Sequence, residues 1–378
     1  MTMKYRRFGK TNLCLSVFSL GTMRYLSTAE NAWQTIQKAI ALGINHLETA
    51  RGYGKSEDYL GSAIALGLPV PRSQVYITTK IPPTKDADTM RRCIDESLDK
   101  LNIDYLDCLG IHGLNAREHL DWVKTKGGCM KAVEEAKADG RVRHVGFSTH
   151  APLEIILDAI ATEFFDFVNL HYYYFFQRNA LAIEKAYEKD MGIFIISPAD
   201  KGGRLYTPSQ TLKDLCYPFS PLELNYRFLL SDTRITTLSV GPANSKELEE
   251  PLLFSDRDGL LTQEEIDTFQ RLEEYQKSAL GTDRCSQCYE CLPCPEKINI
   301  PEVLRLRNLA TAYNMTDFGQ YRYRMFENAG HWFPGMKANR CTECGDCLPR
   351  CPENLDIPAL LKDTHSKLNG SSGRRLWE

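Results

Sequence analysis

Eight cysteines near the carboxyl terminus of this chain stand in two groups whose spacing suits iron–sulfur chemistry. Each group runs through three cysteines at C-x2-C spacing and ends in a fourth cysteine that is followed by proline. This spacing lets one loop bring three thiolates around a cubane, and the cysteine before proline ligates the other cluster in two-cluster ferredoxins. The sequence therefore predicts two [4Fe–4S] clusters. The predicted ligands are Cys285, Cys288, Cys291, Cys294, Cys341, Cys344, Cys347 and Cys351.

The division of these ligands between the clusters follows from the crossing of the fourth cysteine. One cluster would take Cys285, Cys288, Cys291 and Cys351, and the other would take Cys341, Cys344, Cys347 and Cys294. The first motif has one residue fewer before its last cysteine, which leaves the crossing open but not the set of ligands. Structural zinc is the alternative, because it also takes four cysteines at C-x2-C spacing. Zinc sites rarely have three cysteines at successive C-x2-C spacing followed by a fourth cysteine in a Cys-Pro pair.

The segment between the two cysteine groups, residues 302–330, is predicted to be helical. Both groups are followed by Pro-Glu and then by Ile-Pro, which indicates an internal duplication. The region therefore resembles a small, mainly helical ferredoxin-like module with two clusters.

A second set of polar residues, far from the cysteines in the chain, is suited to reducing a carbonyl group. A phenol has a pKa near 10, so Tyr53 could protonate a developing alkoxide if a neighbouring cation such as Lys80 eased the loss of its proton. Glu48 would hold this lysine in place. His112 could donate a hydrogen bond that orients the carbonyl and stabilises charge on its oxygen. These roles predict reduction by hydride.

These four residues become neighbours if the first 260 residues form a barrel. Eight short apolar runs alternate with helical patterns, of which residues 89–101 and 127–139 are typical. Right-handed repetition of strand and helix closes most naturally as a (β/α)8 TIM barrel, with catalytic groups at the carboxyl ends of the strands. An open doubly wound sheet is the alternative, disfavoured because no G-x-G-x-x-G follows the first strand. The predicted strands are 17–21, 44–48, 75–80, 106–111, 143–147, 165–170, 193–197 and 236–240.

Length and composition set the outer limits of these predictions. The 378 residues, 25% charged and 43% apolar, suit a globular chain of one large and one smaller domain, which we place at 1–265 and 266–378. A net charge of -3 argues against nucleic acid as a partner, and no apolar stretch is long enough for a membrane span. We expect a cytoplasmic protein with reduced cysteines, and fraying over residues 369–378.

Over residues 3–260 the sequence resembles the aldo-keto reductases. The motifs that carry the resemblance are YRRFGKT at 5–11, LGTM at 20–23, ETA at 48–50, YGKSE at 53–57 and LG at 60–61. The resemblance implies reduction of a small carbonyl substrate by NADPH or NADH, with a tetrad of aspartate, tyrosine, lysine and histidine. Tyr53, Lys80 and His112 match three of these positions, and Glu48 replaces the aspartate.

The resemblance also implies where the nicotinamide cofactor binds. Ser148 and Thr149 match a Ser-Asn pair that holds the nicotinamide amide, and Asn169 replaces a usual glutamine. The loop with Gly202 and Gly203 would let backbone N–H groups approach the phosphates. The cofactor residues implied in this way are Gly21, Thr22, Met23, Ser148, Thr149, Asn169, Ser197, Pro198, Lys201, Gly202, Gly203, Gly241, Asn244, Lys246 and Glu247.

The choice between the two nicotinamide cofactors depends on the segment after the eighth strand. Glu247 stands where many NADPH-using members have an arginine, so it would repel a 2′-phosphate and accept hydrogen bonds from ribose hydroxyls. The adjacent Lys246 would act in the opposite direction. NADH preference is the resulting hypothesis.

Three hypotheses relate the function of the predicted barrel to that of the predicted clusters. In the first, a carbonyl reductase passes electrons through its clusters to or from a redox partner protein. In the second, the barrel has lost its activity and the chain is an electron carrier or redox sensor. In the third, the clusters are structural. A nicotinamide delivers two electrons at once whereas a cluster moves one, so direct exchange between them would need an intermediary.

Overall fold

The computed structural model describes residues 2–25 and 27–370, so residues 371–378 of the segment expected to fray lie outside the described part. The chain divides into two compact units, one of residues 1–202 and 225–260 and the other of residues 203–224 and 261–378. The boundary that we placed at residue 265 stays a prediction. Along the described residues, no helix has the length and apolar character needed to cross a membrane.

The first unit contains a closed barrel of eight parallel strands, as predicted. A two-stranded antiparallel hairpin, β1 and β2, precedes it. Each barrel strand pairs with the next along the chain, and the last pairs with the first. The strands are β1 (Tyr5–Arg7), β2 (Cys14–Ser16), β3 (Phe18–Gly21), β4 (His46–Glu48), β5 (Tyr76–Ile81), β6 (Leu106–His112), β7 (Val142–Ser148), β8 (Phe167–Leu170), β9 (Gly192–Ile195) and β10 (Thr237–Val240).

Helices join successive strands of the barrel and continue through the second unit. They are α1 (Ala29–Ala41), α2 (Ser56–Leu66), α3 (Ala87–Leu101), α4 (Arg117–Lys124), α5 (Cys129–Ala138), α6 (Leu153–Ala161), α7 (Ala180–Glu188), α8 (Gln210–Cys216), α9 (Pro221–Leu230), α10 (Glu249–Leu252), α11 (Gln263–Leu280), α12 (Ile300–Tyr313), α13 (Thr316–Tyr323) and α14 (Ile357–Leu368). The predicted helices at 89–101 and 127–139 correspond to α3 and α5. Helix α3 begins at the Asp86 cap, whose side chain accepts a hydrogen bond from the Thr89 N–H, and ends at left-handed Asn102.

The hairpin, which the sequence reasoning did not predict, packs against the starts of barrel strands. Phe8, in its turn, lies in one apolar cluster with Phe167 of β8 and Phe194 of β9. A Cβ on Gly192 would come within 2.3 Å of the Phe8 ring, so only glycine fits at the start of β9. The amino-terminal end of the barrel is thereby filled with apolar side chains, which leaves the carboxyl-terminal end for a site.

A buried polar layer lies inside the barrel, around His46 of β4. The His46 Nδ1 and Nε2 atoms each lie 2.7 Å from a hydroxyl, of Ser19 and of Thr78 respectively, and Ser19 pairs with Thr237 at 2.7 Å. Burial lowers the pKa of His46 to about 3, and the charge of Lys80 acts in the same direction. The imidazole is therefore neutral. His46 and Thr78 each precede a predicted catalytic residue by two positions, so this layer supports the site.

In the second unit, the segment 302–330, which was predicted to be helical, contains two helices separated by a break. Helix α12 ends at Tyr313, where Asn314 adopts a left-handed conformation with φ of 52°, and α13 begins at Thr316. A left-handed residue ends an α-helix because the chain can no longer continue its hydrogen-bond ladder, and asparagine tolerates this conformation. The unit is nevertheless mainly helical, as predicted.

Candidate functional site

The first candidate site is built around a buried lysine in the barrel. Lys80 lies in β5, and both its side chain and that of Glu48, at the end of β4, are almost completely buried. The Lys80 Nζ contacts the Glu48 carboxylate and donates a hydrogen bond of 2.9 Å to the Tyr53 hydroxyl. The extra methylene of Glu48 relative to aspartate therefore does not prevent the ion pair. The buried lysine links the carboxylate on one side to the phenol on the other.

His112 completes the predicted set of four residues. It ends β6, and its ring stands edge-on to the Tyr53 ring, with centroids 5.6 Å apart and an interplanar angle of 85°. The barrel thus brings Glu48, Tyr53, Lys80 and His112 together, although they are spread over residues 48–112 of the chain. The Lys80 Nζ also lies 4.6 Å from the centroid of the Tyr53 ring.

The sequence reasoning missed Gly110, which makes room for the lysine. Gly110 of β6 pairs with Lys80 of β5, and a Cβ at Gly110 would lie 2.8 Å from the Lys80 Cγ. The aliphatic part of the Lys80 side chain therefore passes over Gly110 of the neighbouring strand, where any larger side chain would collide with it. An isolated glycine inside a strand pattern indicates such an approach, and this signal was present in the sequence.

Burial acts in opposite directions on the two titrating groups of this site. It raises the pKa of the Tyr53 phenol, because the phenolate would lose its hydration. It lowers the pKa of Lys80, and repulsion from Lys201 adds to that effect. The Glu48 carboxylate favours the charged form of Lys80, since it is an opposite charge in direct contact. Tyr53 therefore keeps its proton at neutral pH.

A buried amide without a partner lies two strands away from His112. Asn169 of β8 is completely buried, and neither its Oδ1 nor its Nδ2 has a hydrogen-bond partner among the described residues. It pairs in register with Ser148 of β7, which in turn pairs with His112. An orphaned amide is costly unless something binds it, and a carboxamide offers both a donor and an acceptor. This position therefore fits the nicotinamide amide.

The other predicted contacts to the nicotinamide are partly engaged within the protein. The Ser148 Oγ accepts a hydrogen bond of 3.1 Å from the Gly113 N–H. The Thr149 hydroxyl donates to the Leu114 carbonyl at 2.7 Å and accepts from the Ala151 N–H at 3.0 Å. Thr149 consequently stabilises the loop after β7, in which its hydroxyl already has two backbone partners.

The turn after β3 is hydrogen-bonded to the end of β4, the strand that carries Glu48. Thr22 donates from both its N–H and its hydroxyl to the Glu48 carbonyl, each at 3.0 Å. Gly21 approaches β10 so closely that a Cβ would lie 2.6 Å from the Ser239 Oγ. Met23 follows, half-buried. These residues hold the end of β4, where Glu48 stands.

The loop predicted to bind phosphate divides between the two units. Ser197 has a positive φ of 55°, and its carbonyl accepts a hydrogen bond from the Lys201 N–H at 3.0 Å. A Cβ on Gly202 would lie 1.9 Å from the Pro198 carbonyl oxygen, so this turn requires glycine. Gly203 belongs to the second unit, where a Cβ would meet the Met315 Cε at 2.8 Å. Close packing thus explains both glycines without a phosphate.

The segment after β10 contacts an arginine that the sequence reasoning missed. Arg24 NH1 lies 3.0 Å from the Glu247 Oε2 and also donates to the Gly241 carbonyl at 3.2 Å. Asn244 caps the turn, since its side chain accepts from the Lys246 N–H at 3.0 Å. Glu247 is therefore already paired with a cation. No pattern in the sequence links Arg24 to residue 247, because the contact spans the closure of the barrel between β3 and β10.

The second candidate site consists of two cavities in the second unit, each lined by four cysteines. The lining of the first cavity includes Cys285, Cys288, Cys291 and Cys351. The lining of the second cavity includes Cys294, Cys341, Cys344 and Cys347. Each cavity combines three cysteines of one motif with the last cysteine of the other. This is the grouping that the crossing rule describes.

The set of side chains around each cavity bears on which metal group fits. In the part of the chain that the structure describes, no three His, Cys, Asp or Glu side chains converge closely enough to hold a single metal ion. Four cysteines around one cavity are the ligand set of a [4Fe–4S] cluster. Cys291 and Cys347 are buried, so each cavity has one ligand shielded from solvent. The residues present therefore fit iron–sulfur clusters.

Two family models match this chain, one over the barrel and one over the cysteine motifs. A model described as the Aldo/keto reductase family matches residues 17–274, and one described as a 4Fe-4S dicluster domain matches residues 284–355. Because the first match covers more than half of the chain, the protein belongs to the aldo-keto reductase family of oxidoreductases. It carries an iron–sulfur dicluster domain after the barrel.

Individual relatives match part of the chain. L-galactose dehydrogenase of Arabidopsis thaliana is 30% identical over 207 residues, which cover 51% of this chain and 63% of that protein. The uncharacterized oxidoreductase YqkF of Bacillus subtilis is 24% identical over 305 residues, which cover 71% of this chain and 96% of that protein. The chain thus spans less than two thirds of the plant enzyme.

Solved structures support the fold. An aldo-keto reductase from Bacillus halodurans in its holo form superposes with a TM-score of 0.62 at 21% identity, covering 71% of this chain and 96% of that one. An aldo/keto reductase from Brucella melitensis gives a TM-score of 0.57 at 18% identity, with 71% and 100% covered. At these identities the likeness concerns the barrel architecture alone.

Proposed function

We propose that this chain reduces aldehydes or ketones with NADPH or NADH, with Tyr53 as the general acid. The observation that carries the proposal is the buried Lys80, held between Glu48 and the Tyr53 hydroxyl. A buried charge pair beside a phenol, at the strand ends of a barrel, has a high cost in desolvation and little value for stability. Such an arrangement is typical of a group that moves a proton.

The residues would act on the carbonyl oxygen. Bound NADPH or NADH supplies a hydride to the carbonyl carbon. Tyr53 holds the proton at its hydroxyl, because burial raises the pKa of the phenol. When this proton passes to the substrate oxygen, the hydrogen bond from the Lys80 Nζ stabilises the phenolate that is left. His112, beside the Tyr53 ring, would orient the carbonyl.

Three groups of residues would hold the cofactor. The buried Asn169 amide, with Ser148 beside it in register, would bind the carboxamide of the nicotinamide. Residues 197–203 would approach the pyrophosphate, and residues 241–247 would approach the adenosine. Preference for NADH, which we predicted from Glu247, remains part of the proposal, and Lys246 and Arg24 are the groups that oppose it.

We further propose that the two cavities hold one [4Fe–4S] cluster each, in a domain that begins at residue 266. The clusters supply one-electron transfer. The support is the grouping of four cysteines around each cavity. A redox partner protein would then exchange single electrons with this unit, and the barrel would act on a small carbonyl substrate. The cytoplasmic location expected from the sequence stays a prediction.

The test of the barrel proposal is turnover. Oxidation of NADH and of NADPH is measured with a panel of aldehydes and ketones, using the full chain purified without oxygen. Changing Tyr53→Phe should lower kcat/KM by about 10²–10⁴-fold, because it removes the proton donor. Tyr59→Phe, on helix α2, is the matched control and should leave the rate unchanged. Absence of turnover with every carbonyl in the panel would reject the proposal.

A second candidate function is an electron carrier whose barrel is inactive. The cysteine cavities favour it, since they require nothing from the barrel chemistry. A chain that contains about eight irons, cycles reversibly between oxidation states and reduces no carbonyl would have this function.

A further inference from the structure

The two cysteine motifs share a positive φ at two matching positions, and their side chains differ at both of these positions. Gln287 and Glu343 each stand two residues after the first cysteine of their motif, and both have positive φ, of 64° and 57°. Two residues further on, Tyr289 and Gly345 again share positive φ, of 67° and 81°. The loops therefore follow equivalent paths, and Gln287 and Glu343 occupy equivalent positions.

The amide of Gln287 reaches a cysteine sulfur that lines the first cavity. Its Nε2 donates to the Pro301 carbonyl at 2.7 Å and lies 3.9 Å from the Cys285 Sγ, within hydrogen-bond range for sulfur. Pro301, in the first turn of α12, lines the same cavity, so the bond to its carbonyl holds the amide there. Gln287 is half-buried.

The equivalent side chain in the second motif cannot make this contact. Glu343 is exposed, and an ionised carboxylate accepts hydrogen bonds but has no N–H to donate to a sulfur. It also adds a negative charge near Cys341 and Cys344, which line the second cavity. At this position the duplication places a donor in the first motif and an anion in the second. The lining itself contains Glu353 in the first cavity, and Glu296, Asp346 and Arg350 in the second.

A second contact holds the backbone of Cys285, the residue whose sulfur Gln287 reaches. Asn308 of α12 is buried, and its Nδ2 donates to the Cys285 carbonyl at 2.9 Å. Asn308 stands seven residues after Pro301, and seven residues after Pro358 the second repeat has His365. The His365 Nδ1 pairs with the Tyr323 hydroxyl at 2.7 Å instead. The first motif therefore combines a tethered cysteine backbone with an amide aimed at its sulfur, and the side chains at the matching positions of the second motif do neither.

We propose that Gln287 gives the cluster of the first cavity the higher reduction potential of the two, so that an electron entering the unit comes to rest there. The proposal depends on the iron–sulfur function proposed above. Reduction adds negative charge to a cluster, and hydrogen bonds to its sulfurs raise its potential whereas nearby negative charge lowers it. Transfer from the second cavity to the first oxidises one cluster by one electron and reduces the other by one, with no proton transferred.

The experiment is a redox titration of the full chain with dithionite and mediators, followed by electron paramagnetic resonance. Iron and sulfide are measured first, and about eight of each per chain are required. The wild-type chain should show two waves. Changing Gln287→Glu should lower only the upper wave, by about a tenfold change in the ratio of oxidised to reduced cluster, which is about 59 mV for one electron.

The matched variant is Glu343→Gln, which changes the second motif towards the first. It should raise only the lower wave and bring the two midpoints together. It also keeps the proposal testable if Gln287→Glu loses iron. Unchanged midpoints in either iron-replete variant, or a shift of the lower wave by Gln287→Glu, would overturn the role of Gln287. A wild-type chain without iron would instead reject the cluster proposal itself.

Discussion

The two candidate sites differ in how far apart their residues lie in the chain. Each cysteine cavity takes three of its four cysteines from one short loop, and only the fourth comes from the other motif. The barrel site takes Glu48, Tyr53, Lys80 and His112 from three strands and one loop, and the three strand residues are placed by register. A site made by local spacing depends on few contacts, whereas a site made by register depends on the packing of the whole barrel.

The two sites also differ in how far their ionisable side chains are shielded from solvent. In the barrel, the positive charge of Lys80 is buried and compensated by Glu48. In the second unit, Cys288 and Cys344 are exposed, so each cavity has one cysteine that touches solvent. Substitutions in the barrel site should therefore affect stability and activity together, whereas substitutions at a cysteine should act on metal content.

The largest expected effect is that of Lys80→Met. It leaves the Glu48 carboxylate buried without its partner, which should cost about 3–5 kcal/mol in the free energy of unfolding. It should also lower kcat/KM by about 10²-fold or more, because the Tyr53 phenolate loses its hydrogen bond. Denaturant unfolding and steady-state rates measure the two effects.

The double variant Lys80→Met with Glu48→Leu separates these effects. Removing both charges should recover most of the stability but none of the turnover. Wild-type turnover in either variant would show that the buried pair is only structural. The expectation that substitutions in the barrel site affect stability and activity together would then be wrong.

Gly110→Ala should have the next largest effect. The new Cβ would lie 2.8 Å from the Lys80 Cγ, and overpacking of this kind costs about 1–3 kcal/mol. Displacement of the lysine should lower kcat by up to about 100-fold, with little change in KM for the cofactor. Gly259→Ala, where a Cβ meets nothing within 4 Å, is the control. Equal rates in Gly110→Ala and Gly259→Ala would mean that the pairing of Gly110 with Lys80 does not position the lysine.

Glu247→Gln should change cofactor choice by a smaller amount. It releases Arg24 from its ion pair, and the free guanidinium should then bind a 2′-phosphate. We expect KM for NADPH to fall by about tenfold, equivalent to about 1.4 kcal/mol. KM for NADH should stay unchanged, because glutamine keeps an oxygen that accepts hydrogen bonds from the ribose hydroxyls. Glu249→Gln, an exposed neighbour, serves as the control. A fall in both constants would show that residue 247 does not face the adenosine ribose.

The smallest expected effect on turnover is that of Cys291→Ser, in the second unit. Loss of this buried ligand of the first cavity should lower the iron content from about eight to about four per chain. Carbonyl turnover should stay the same. Cys14→Ser changes an exposed cysteine outside both cavities and should leave the iron content intact. If Cys291→Ser abolished turnover, the two sites would not be separable.

Much of the fold could be predicted from the sequence, because it depends on local patterns. The eight barrel strands and helices α3 and α5 follow from apolar periodicity. The hairpin of β1 and β2 was missed because its Phe8 contacts strands more than 150 residues away. The break at Asn314 was missed because a left-handed asparagine gives no periodic signal.

What the sequence determined by itself is the kind of chemistry at each end of the chain. Cysteine spacing is a local property, and it indicates iron–sulfur ligands without reference to the rest of the fold. The identity of Glu48, Tyr53, Lys80 and His112 likewise follows from strand ends and from family motifs.

What only the tertiary structure decided is the environment of these residues. It includes the burial of Lys80, the space left by Gly110, the pairing of Arg24 with Glu247 and the orphaned amide of Asn169. These features depend on strands that are distant in the chain, and burial and register arise only when the barrel closes.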